Sequence, residues 1–163
     1  MVGEEAQGSP ADAGQHLLLY DGDCGLCDGV VRAVLTWDRR GVFRFTSLQS
    51  SVATEQLARL GSRATGLDTF FVITNYRGAT PTLLSKARAA LFVLAALGWP
   101  WKAAAALLSL LPIAWLDRAY DVIAQNRYRI LGRSKNCIVP TPEYQRRFLD
   151  SGGDVVPRTE VRP

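Results

Sequence analysis

The chain has 163 residues with a formal net charge of +4, and hydrophobic residues make up 48% of it. This composition excludes a wholly disordered chain and the dense positive field of a dedicated nucleic-acid binder, so no nucleic-acid partner is expected. Three cysteines are too few for a secreted disulfide scaffold, which favours a single domain in the cytoplasm.

Both ends of the chain are rich in small and polar residues and are predicted to be flexible tails, at residues 1–15 and 150–163. The first tail has no Lys or Arg, whereas a secretory or mitochondrial leader carries basic residues. One folded domain is therefore expected over residues 16–149.

The hydrophobic pattern of this domain changes period several times. An apolar run at residues 16–20 predicts a first strand, which ends at the turn-forming Asp21-Gly22-Asp23. Apolar residues at helical spacing then predict a helix that ends at Gly41. Alternating residues at 42–48 predict a second strand. A second helix is predicted by the spacing of Ala53, Leu57 and Leu60.

The second half of the pattern predicts two more strands and then only helices. Residues 69–74 predict a third strand, and residues 80–84 a fourth that returns antiparallel to it. From about residue 85, helices rich in Ala and Leu are interrupted by Gly98-Trp99-Pro100 and by Pro112. A short terminal helix is predicted from Thr141-Pro142 through Phe148.

These elements predict an α/β domain, with a central mixed sheet of about four strands, flanking helices and an appended C-terminal helical layer. The appended helices are too short to span a membrane and are predicted to cover the sheet. The alternative is a non-catalytic adaptor whose helices touch a membrane surface or a partner. Its candidate anchors are Trp99, Trp101 and Trp115.

Two cysteines with C-x-x-C spacing, Cys24 and Cys27, stand where the first turn passes into the first helix. A helix N-terminus carries partial positive charge, which favours a thiolate over a thiol. We expect Cys24 to be the exposed nucleophile, Cys27 to be less exposed, and Gly25 to leave room for a substrate disulfide. Cys24 would form a mixed disulfide that Cys27 resolves, reducing a protein or small-molecule disulfide. A separate thiol reductant would reset the pair.

The strand–C-x-x-C–helix arrangement within this order of elements is typical of the thioredoxin-like fold. More specifically, Asp21, Cys24 and Cys27 form the motif D-x-x-C-x-x-C, by which the chain resembles the DCC family of predicted thiol-disulfide oxidoreductases. The resemblance covers residues 17–149 and implies thiol-disulfide oxidoreductase activity. Other residues that resemble the family's pattern are Tyr20, Gly22, Ser85, Ala87, Pro100, Trp101, Leu111, Pro112, Tyr120, Asn126, Arg127, Tyr128, Gly132, Arg133 and Cys137. No nucleotide-binding loop or flavin fingerprint is present, so no cofactor is expected.

The main competing chemistry for the two cysteines is zinc. A zinc site would need four ligands, and Cys24, Cys27, Cys137 and His16 are the available set. Ordinary thioredoxins place a cis-proline opposite the cysteines, whereas this chain has Asp68 there, which slightly strengthens the zinc alternative. Otherwise Cys137 is interpreted as a packed thiol and His16 as a structural residue.

Asp21 has two interpretations. It could take the proton of Cys27 in the second step, provided that burial raises its pKa, or it could cap the turn or the helix. A basic segment follows much later in the chain and is interpreted as a solvated face. The alternatives are an arginine near the active site that stabilises a thiolate, or a docking surface for an acidic partner. The members of this segment are Arg127, Arg129, Arg133 and Lys135. Asn126 and Tyr128 are predicted to hold the terminal helix and loop.

Overall fold

The computed structural model describes residues 15–62, 70–132 and 142–149. The strands in these ranges are β1 (His16–Tyr20), β2 (Phe43–Ser47), β3 (Phe71–Thr74) and β4 (Thr82–Ser85). They form one sheet in the order β2-β1-β3-β4. Strand β2 runs parallel to β1, whereas β3 is antiparallel to β1 and β4 is antiparallel to β3. The predicted mixed sheet of four strands is confirmed.

Five helices accompany the sheet within the described residues. They are α1 (Gly25–Trp37), α2 (Ser51–Arg59), α3 (Lys86–Ala96), α4 (Trp101–Leu108) and α5 (Ile113–Leu131). Helices α1 and α2 alternate with the first strands, and the other three follow the sheet as the predicted appended layer. Helix α5 packs against both α1 and α3. The architecture is α/β and is consistent with the predicted thioredoxin-like fold.

Strand β1 lies in the middle of the sheet and is covered on both faces. Leu18 and Tyr20 join a core cluster that includes α1, whereas Leu17 and Leu19 join a cluster that includes α2. Because successive strand side chains point to opposite faces, a continuous apolar strand requires a layer on each side. Asp21, which directly follows Tyr20, therefore lies at the end of a strand that is buried on both faces.

The last described segment differs from its prediction. Residues 142–149 contain a single 3-10 turn, Gln145–Arg147, so the predicted terminal helix through Phe148 is wrong, and its expected cap Thr141 lies outside the described residues. Phe148 forms a parallel bridge with Phe45 of β2, and their rings stack at 5.2 Å. The Leu149 N–H donates to the Phe45 carbonyl at 2.9 Å. This pairing needs an extended backbone, which ends the turn.

An ion pair with a buried carboxylate connects the same segment to the sheet. The carboxylate of Asp38, directly after α1, accepts hydrogen bonds from the backbone N–H groups of Val42 at 3.2 Å and Phe43 at 3.0 Å. Arg147 pairs with the same carboxylate. Asp38 thus joins the end of α1, the start of β2 and the last described segment.

The predicted tails fall on residues outside the described ranges, with the exception of Gln15. The Gln15 amide donates a hydrogen bond to the Asn75 side-chain oxygen at 2.7 Å. The domain limits at residues 16 and 149 therefore stay predictions.

Candidate active site around Cys24 and Cys27

The two cysteines lie where the sequence places them, at the start of α1. Cys24 directly precedes the first helical residue, and its carbonyl accepts the Asp28 N–H at 3.0 Å. Both thiols are free and buried, with exposed fractions of 0% for Cys24 and 9% for Cys27. The prediction that Cys24 is the exposed cysteine is wrong. Of the two residues, Cys27 has the larger exposed fraction.

The C-terminal end of α5 covers the start of α1. The Gly25 N–H donates to the Gly132 carbonyl at 3.4 Å. A Cβ at Gly25 would lie 2.8 Å from the Leu131 carbonyl oxygen and 3.2 Å from that of Gly132. Gly132 has a φ of +71°, a conformation that glycine adopts readily and that ends α5 here. The space predicted beside Gly25 for a substrate is therefore occupied by α5.

This contact changes the electrostatics of the cysteine motif. The first turn of a helix offers unpaired N–H groups and partial positive charge, whereas the last turn offers carbonyls and partial negative charge. Here the end of α5 meets the start of α1. The backbone carbonyls at the end of α5 therefore offset part of the positive potential that was predicted to stabilise a thiolate at the start of α1.

The thiol of Cys27 is held in its protonated form. Burial, the charge of Cys24 and a hydrogen bond between the two side chains raise the pKa of Cys27 to about 12. The backbone of Asp21 and the positive charge of Arg127 act in the opposite direction and are outweighed. The two thiols are close enough to affect each other's ionisation, which is what disulfide exchange within a pair requires.

Asp21 is buried, with 1% of its surface exposed, and its carboxylate accepts four hydrogen bonds. One oxygen accepts from the Asp23 N–H at 3.0 Å and the Gln49 amide at 2.9 Å. The other accepts from the Arg127 guanidinium at 3.1 Å and the Tyr128 hydroxyl at 2.7 Å. Each oxygen therefore has two donors, which satisfies the carboxylate as an anion.

The four donors decide the ionisation of Asp21. Burial acts to raise its pKa, but the hydrogen bonds from Asp23, Tyr128 and Gln49, together with the charge of Arg127, outweigh burial and lower the pKa below its usual value. The raised pKa on which a proton-accepting role depends is therefore not found. The interpretation of Asp21 as a turn cap is supported by its bond from the Asp23 N–H.

Arg127 lies inside the protein, next to the cysteine pair, and not on a solvated face. It is buried and paired with Asp21, so its interpretation as part of a solvated face is wrong. Although burial acts to lower the pKa of Arg127, its electrostatic interactions with Tyr128, Cys24, Asp21 and Cys27 outweigh burial and raise it. A carboxylate directly after a buried strand needs a cation nearby, and that requirement was the signal that could have identified this arginine.

The two neighbours of Arg127 were predicted to hold the terminal helix and loop. Tyr128 donates its hydroxyl to Asp21 and therefore belongs to the site. The Asn126 amide donates to the Val122 carbonyl of the same helix at 2.8 Å. Tyr128 also packs against the core cluster that contains Phe148, and residues 133–141 lie outside the described ranges, so the predicted role in holding the terminal loop stays a prediction.

A cavity of about 130 Å³ lies beside Cys27, and we call it the Cys27 cavity. Its lining residues are Leu18, Tyr20, Leu26, Cys27, Val30, Phe70, Tyr120, Ile123, Ala124 and Arg127. Ile123, which lines the cavity from α5, is 48% exposed. The Phe70 N–H donates to the Tyr120 hydroxyl at 3.1 Å, and burial raises the pKa of Tyr120 to about 12. The walls are therefore predominantly apolar and neutral.

The structure separates His16 from the cysteines. His16 begins β1 and Asp21 follows it, so His16 and the motif are separated by a strand length of roughly 13 Å. The Nδ1 of His16 accepts the Asn75 N–H at 3.3 Å. No three His, Cys, Asp or Glu side chains in residues 15–62, 70–132 and 142–149 are grouped to hold a metal. Cys137 and Asp68, named in the zinc alternative, lie outside those ranges.

The elbow between α4 and α5 exposes apolar side chains. Trp115 is 70% exposed and Trp99, before α4, is 81% exposed, whereas Trp101 packs against Trp37 at 5.4 Å. In the part of the chain that the structure describes, no single helix is long and apolar enough to cross a membrane. Helices α4 and α5 meet the length and hydropathy criteria only as a pair, with a bend of 113° between them.

Comparison with known proteins places this site in a family. A model of the DCC1-like thiol-disulfide oxidoreductases matches residues 18–133. The chain is 34% identical over 134 residues to the uncharacterized protein YuxK of Bacillus subtilis, covering 82% of this chain and 93% of that protein. It is 31% identical over 121 residues to the DCC family protein At1g52590, chloroplastic, of Arabidopsis thaliana, covering 74% and 67% respectively. No solved structure matches the chain significantly.

Proposed function

The chain belongs to the DCC1-like thiol-disulfide oxidoreductase family, and we propose that it reduces disulfides by cycling Cys24 and Cys27 between dithiol and disulfide. The observation that supports this proposal is the placement of two free thiols, three residues apart, at the start of α1, with the buried Arg127 lining the same cavity as Cys27. The low cysteine count is typical of a reducing compartment such as the cytoplasm, which favours reduction as the net direction.

The reaction transfers two electrons from the cysteine pair to the substrate. One thiolate of the pair attacks a sulfur of the substrate disulfide, forms a mixed disulfide and releases one substrate thiol. The second cysteine attacks the mixed disulfide, releases the other substrate thiol and closes the Cys24–Cys27 bond. A separate thiol reductant then returns the pair to the dithiol, and the substrate is a disulfide-bearing protein or small molecule.

The ion pair next to the thiols supplies the electrostatics for these steps. We propose that Arg127 stabilises the thiolate, because it is buried and lines the same cavity as Cys27. Asp21 acts as a positioning residue that holds Arg127 in place through the bond at 3.1 Å. Because its carboxylate already accepts four hydrogen bonds, we assign it this role in preference to proton transfer from Cys27.

An equilibrium redox titration in glutathione buffers tests the proposal. The protein is acid-quenched and alkylated, and the state of each cysteine is read from peptide masses. We expect one two-electron transition confined to Cys24 and Cys27, unchanged in a Cys137→Ser control. Thiols that never pair across the titration, or that become reactive only after a chelator is added, would refute the proposal and favour the zinc alternative.

A second candidate function rests on the exposed elbow between α4 and α5. Amphipathic tryptophans are typical of membrane–water interfaces, and Trp99 and Trp115 are both exposed. Lys102 of α4 and Arg118 of α5 are exposed and would favour an anionic surface. Co-sedimentation with phosphatidylcholine vesicles, with and without phosphatidylglycerol, tests this adaptor function. Binding that needs phosphatidylglycerol and is lost in Trp115→Ser would support it, and absence of binding would refute it.

A further inference from the structure

We propose that the elbow between α4 and α5, together with the outer face of α5, docks on a lipid bilayer with anionic headgroups and holds the cysteine pair next to it. The substrate is then a disulfide carried by a protein or peptide at the membrane surface. The docking is independent of the proposed reductase function, whereas the substrate class rests on it. Membrane contact thus becomes part of the reductase function and not an alternative to it.

The tip of the elbow, residues 106–115, is an exposed and uncharged turn. Every residue in it is exposed, and the chain has no Asp, Glu, Lys, Arg or His from 103 to 116. Leu107 is 68% exposed and Leu110 is 80% exposed. A contiguous apolar patch of this kind on a protein surface is typical of a site that binds another surface.

Hydrogen bonding inside the elbow tip favours lipid as the occupant. Hydrocarbon offers neither donors nor acceptors, so a segment that enters it has to pair its own polar groups. The Ser109 hydroxyl donates to the Ala106 carbonyl at 2.7 Å. The backbone N–H groups of residues 109–111 all donate to carbonyls of α4, and Pro112 has no N–H. These donors can therefore leave water without losing their hydrogen bonds.

The outer face of α5 continues the apolar surface of the tip. Its exposed members recur at i, i+4, i+7 and i+15, which is the spacing of a single helix face: Trp115, Ala119, Val122 and Ile130. Trp115 belongs to both parts, so the elbow tip and this face are continuous. An exposed apolar face beside basic residues is typical of helices that lie in the plane of a membrane interface.

The border of this surface is basic, which selects an anionic bilayer. Arg118 and Arg129 of α5 are both exposed. Because they are eleven positions apart, or about three turns, they border the outer face on the same side. Lys102 is exposed on α4. Each basic residue near an anionic leaflet adds to the attraction, so this border complements acidic headgroups.

The two carboxylates of α5 are directed away from the proposed surface. Asp117 accepts a hydrogen bond from the Ala87 N–H at 3.2 Å. Asp121 pairs with Lys86 at 2.9 Å. Both contacts lie in the first turn of α3, so the acidic groups of α5 do not offset the charge of its basic border.

The inner face of α5 connects this surface to the cysteine site. Tyr120, Ala124 and Arg127 line the Cys27 cavity, and the Leu131 carbonyl lies over Gly25. The inner and outer faces are separated by the diameter of a helix, about 10 Å. A bilayer on the outer face therefore lies about one helix diameter from the cysteine pair, and disulfides at the membrane surface are concentrated there.

Vesicle binding by the full-length chain tests the surface. Co-sedimentation is measured with vesicles of phosphatidylcholine and phosphatidylglycerol in equal parts. We expect binding to weaken about tenfold in Leu110→Asn and about fivefold in Arg118→Gln. The matched control is Arg59→Gln, which removes the same charge from α2, in the cluster on the other face of the sheet, and should bind like the parent. A parent that does not bind, or equal weakening in the two arginine variants, would overturn the docking surface.

Brominated lipids test whether the elbow tip enters the bilayer, because bromine quenches tryptophan fluorescence only at short range. Bromine is placed near the top of the acyl chains, and the exposed Trp99 is removed in a Trp99→Phe background. Quenching should fall in Trp115→Phe and persist in Trp37→Phe, since Trp37 packs against Trp101 at the end of α1. Equal quenching in the two variants would overturn insertion of the tip.

A second copy of the chain is the competing occupant of this surface. Sedimentation velocity without vesicles distinguishes the two occupants, and we expect a monomer for the parent and for Leu110→Asn. A dimer that dissociates in Leu110→Asn would overturn the assignment to lipid.

The substrate class is tested with one disulfide in two settings. A peptide with a fluorophore attached through a disulfide is either free in solution or tethered to the vesicles by a lipid anchor. In a single turnover, the reduced chain passes two electrons and two protons from Cys24 and Cys27 to this disulfide, which becomes two thiols. We expect the tethered peptide to react about tenfold faster, and this ratio to fall to about one in Leu110→Asn. Equal rates in the parent would overturn the substrate class.

The outcomes separate this inference from the proposed function. If the chain reduces the free peptide but does not bind vesicles, the inference fails and the proposed function stands. If it binds vesicles through the elbow and reduces neither peptide, the proposed function fails and the docking surface stands.

Discussion

Replacing Asp21 with asparagine tests the buried ion pair at the centre of the site. Asparagine keeps the shape of the side chain but removes its charge and replaces one acceptor oxygen with an amide donor. One pair of donors, either Asp23 and Gln49 or Arg127 and Tyr128, then faces an N–H group. The substitution leaves the positive charge of Arg127 buried without its anion.

The expected cost follows from the burial of both partners. The side chains of Asp21 and Arg127 are 1% and 4% exposed. Removing one partner of such a buried pair costs about 3–5 kcal/mol, and we expect the lower end because asparagine retains part of the hydrogen bonding. For a domain of this size, a loss of about 3 kcal/mol corresponds to a melting temperature lower by roughly 6–12 °C.

The assay is urea unfolding of parent and variant at several pH values. Because the pKa of Asp21 is lowered in the folded state, its contribution is complete above about pH 4 and is lost as the pH falls through the folded value. The stability gap between parent and Asp21→Asn should therefore be constant between about pH 5 and pH 7 and narrow towards about pH 3.

Asp38→Asn is the matched control, because Asp38 forms the second buried pair, with Arg147, away from the thiols. We expect it to lower stability but to leave the alkylation rate of Cys27 unchanged, whereas Asp21→Asn changes both. Equal urea midpoints for the parent and Asp21→Asn at about pH 7 would refute the reasoning from the ion pair.

Three further predictions follow from contacts of the same region. Gly25→Ala should lower the free energy of unfolding by about 1–3 kcal/mol, because its Cβ would lie 2.8 Å from a carbonyl oxygen at the end of α5. The control Gly29→Ala has no atom within 4 Å of its new Cβ and should raise the free energy of unfolding by about 0.5–1 kcal/mol. Urea denaturation measures both variants, and equal effects would contradict the contact between Gly25 and α5. Alkylation of Cys27 by iodoacetamide, read from peptide masses, should still accelerate beyond about pH 10, since its pKa is raised to about 12, and a plateau near pH 8 would contradict its burial. Tyr120→Phe removes the acceptor of the Phe70 N–H and should cost about 1 kcal/mol in the same unfolding assay, so an unchanged midpoint would argue against that bond.

The strands and the cysteine motif could be predicted because their signals are local. The apolar run at β1 and the C-x-x-C spacing after its turn each lie within a few residues. The exposure of the cysteines could not be predicted in this way, because it depends on Leu131 and Gly132, more than a hundred positions later. The hydrophobic pattern near Cys24 contains no information about the end of α5, which lies over Gly25.

The environment of Asp21 was unpredictable for the same reason. Its position after a buried strand indicated burial, from which a raised pKa could be inferred. The pKa is instead lowered because Arg127 and Tyr128 arrive from α5. An arginine-rich segment has the same composition whether its side chains are solvated or form a buried ion pair. Only the three-dimensional contacts distinguish the two cases. Likewise, the residues from Pro142 onward have the sequence pattern of a helix start. Only the pairing of Phe148 with β2 shows that no long helix follows.

The separation of Asp21 and Arg127 in the chain has a consequence for biosynthesis. The two residues are 106 positions apart, so a ribosome that adds about 5–20 residues per second makes Arg127 roughly 5–20 s after Asp21. During that interval the nascent chain contains both cysteines but neither the arginine nor the end of α5 that covers Gly25. The thiols are therefore open to oxidants and to mispairing throughout elongation, and they become protected only when the C-terminal helices are complete. A reducing environment at the ribosome protects this protein before its own fold can.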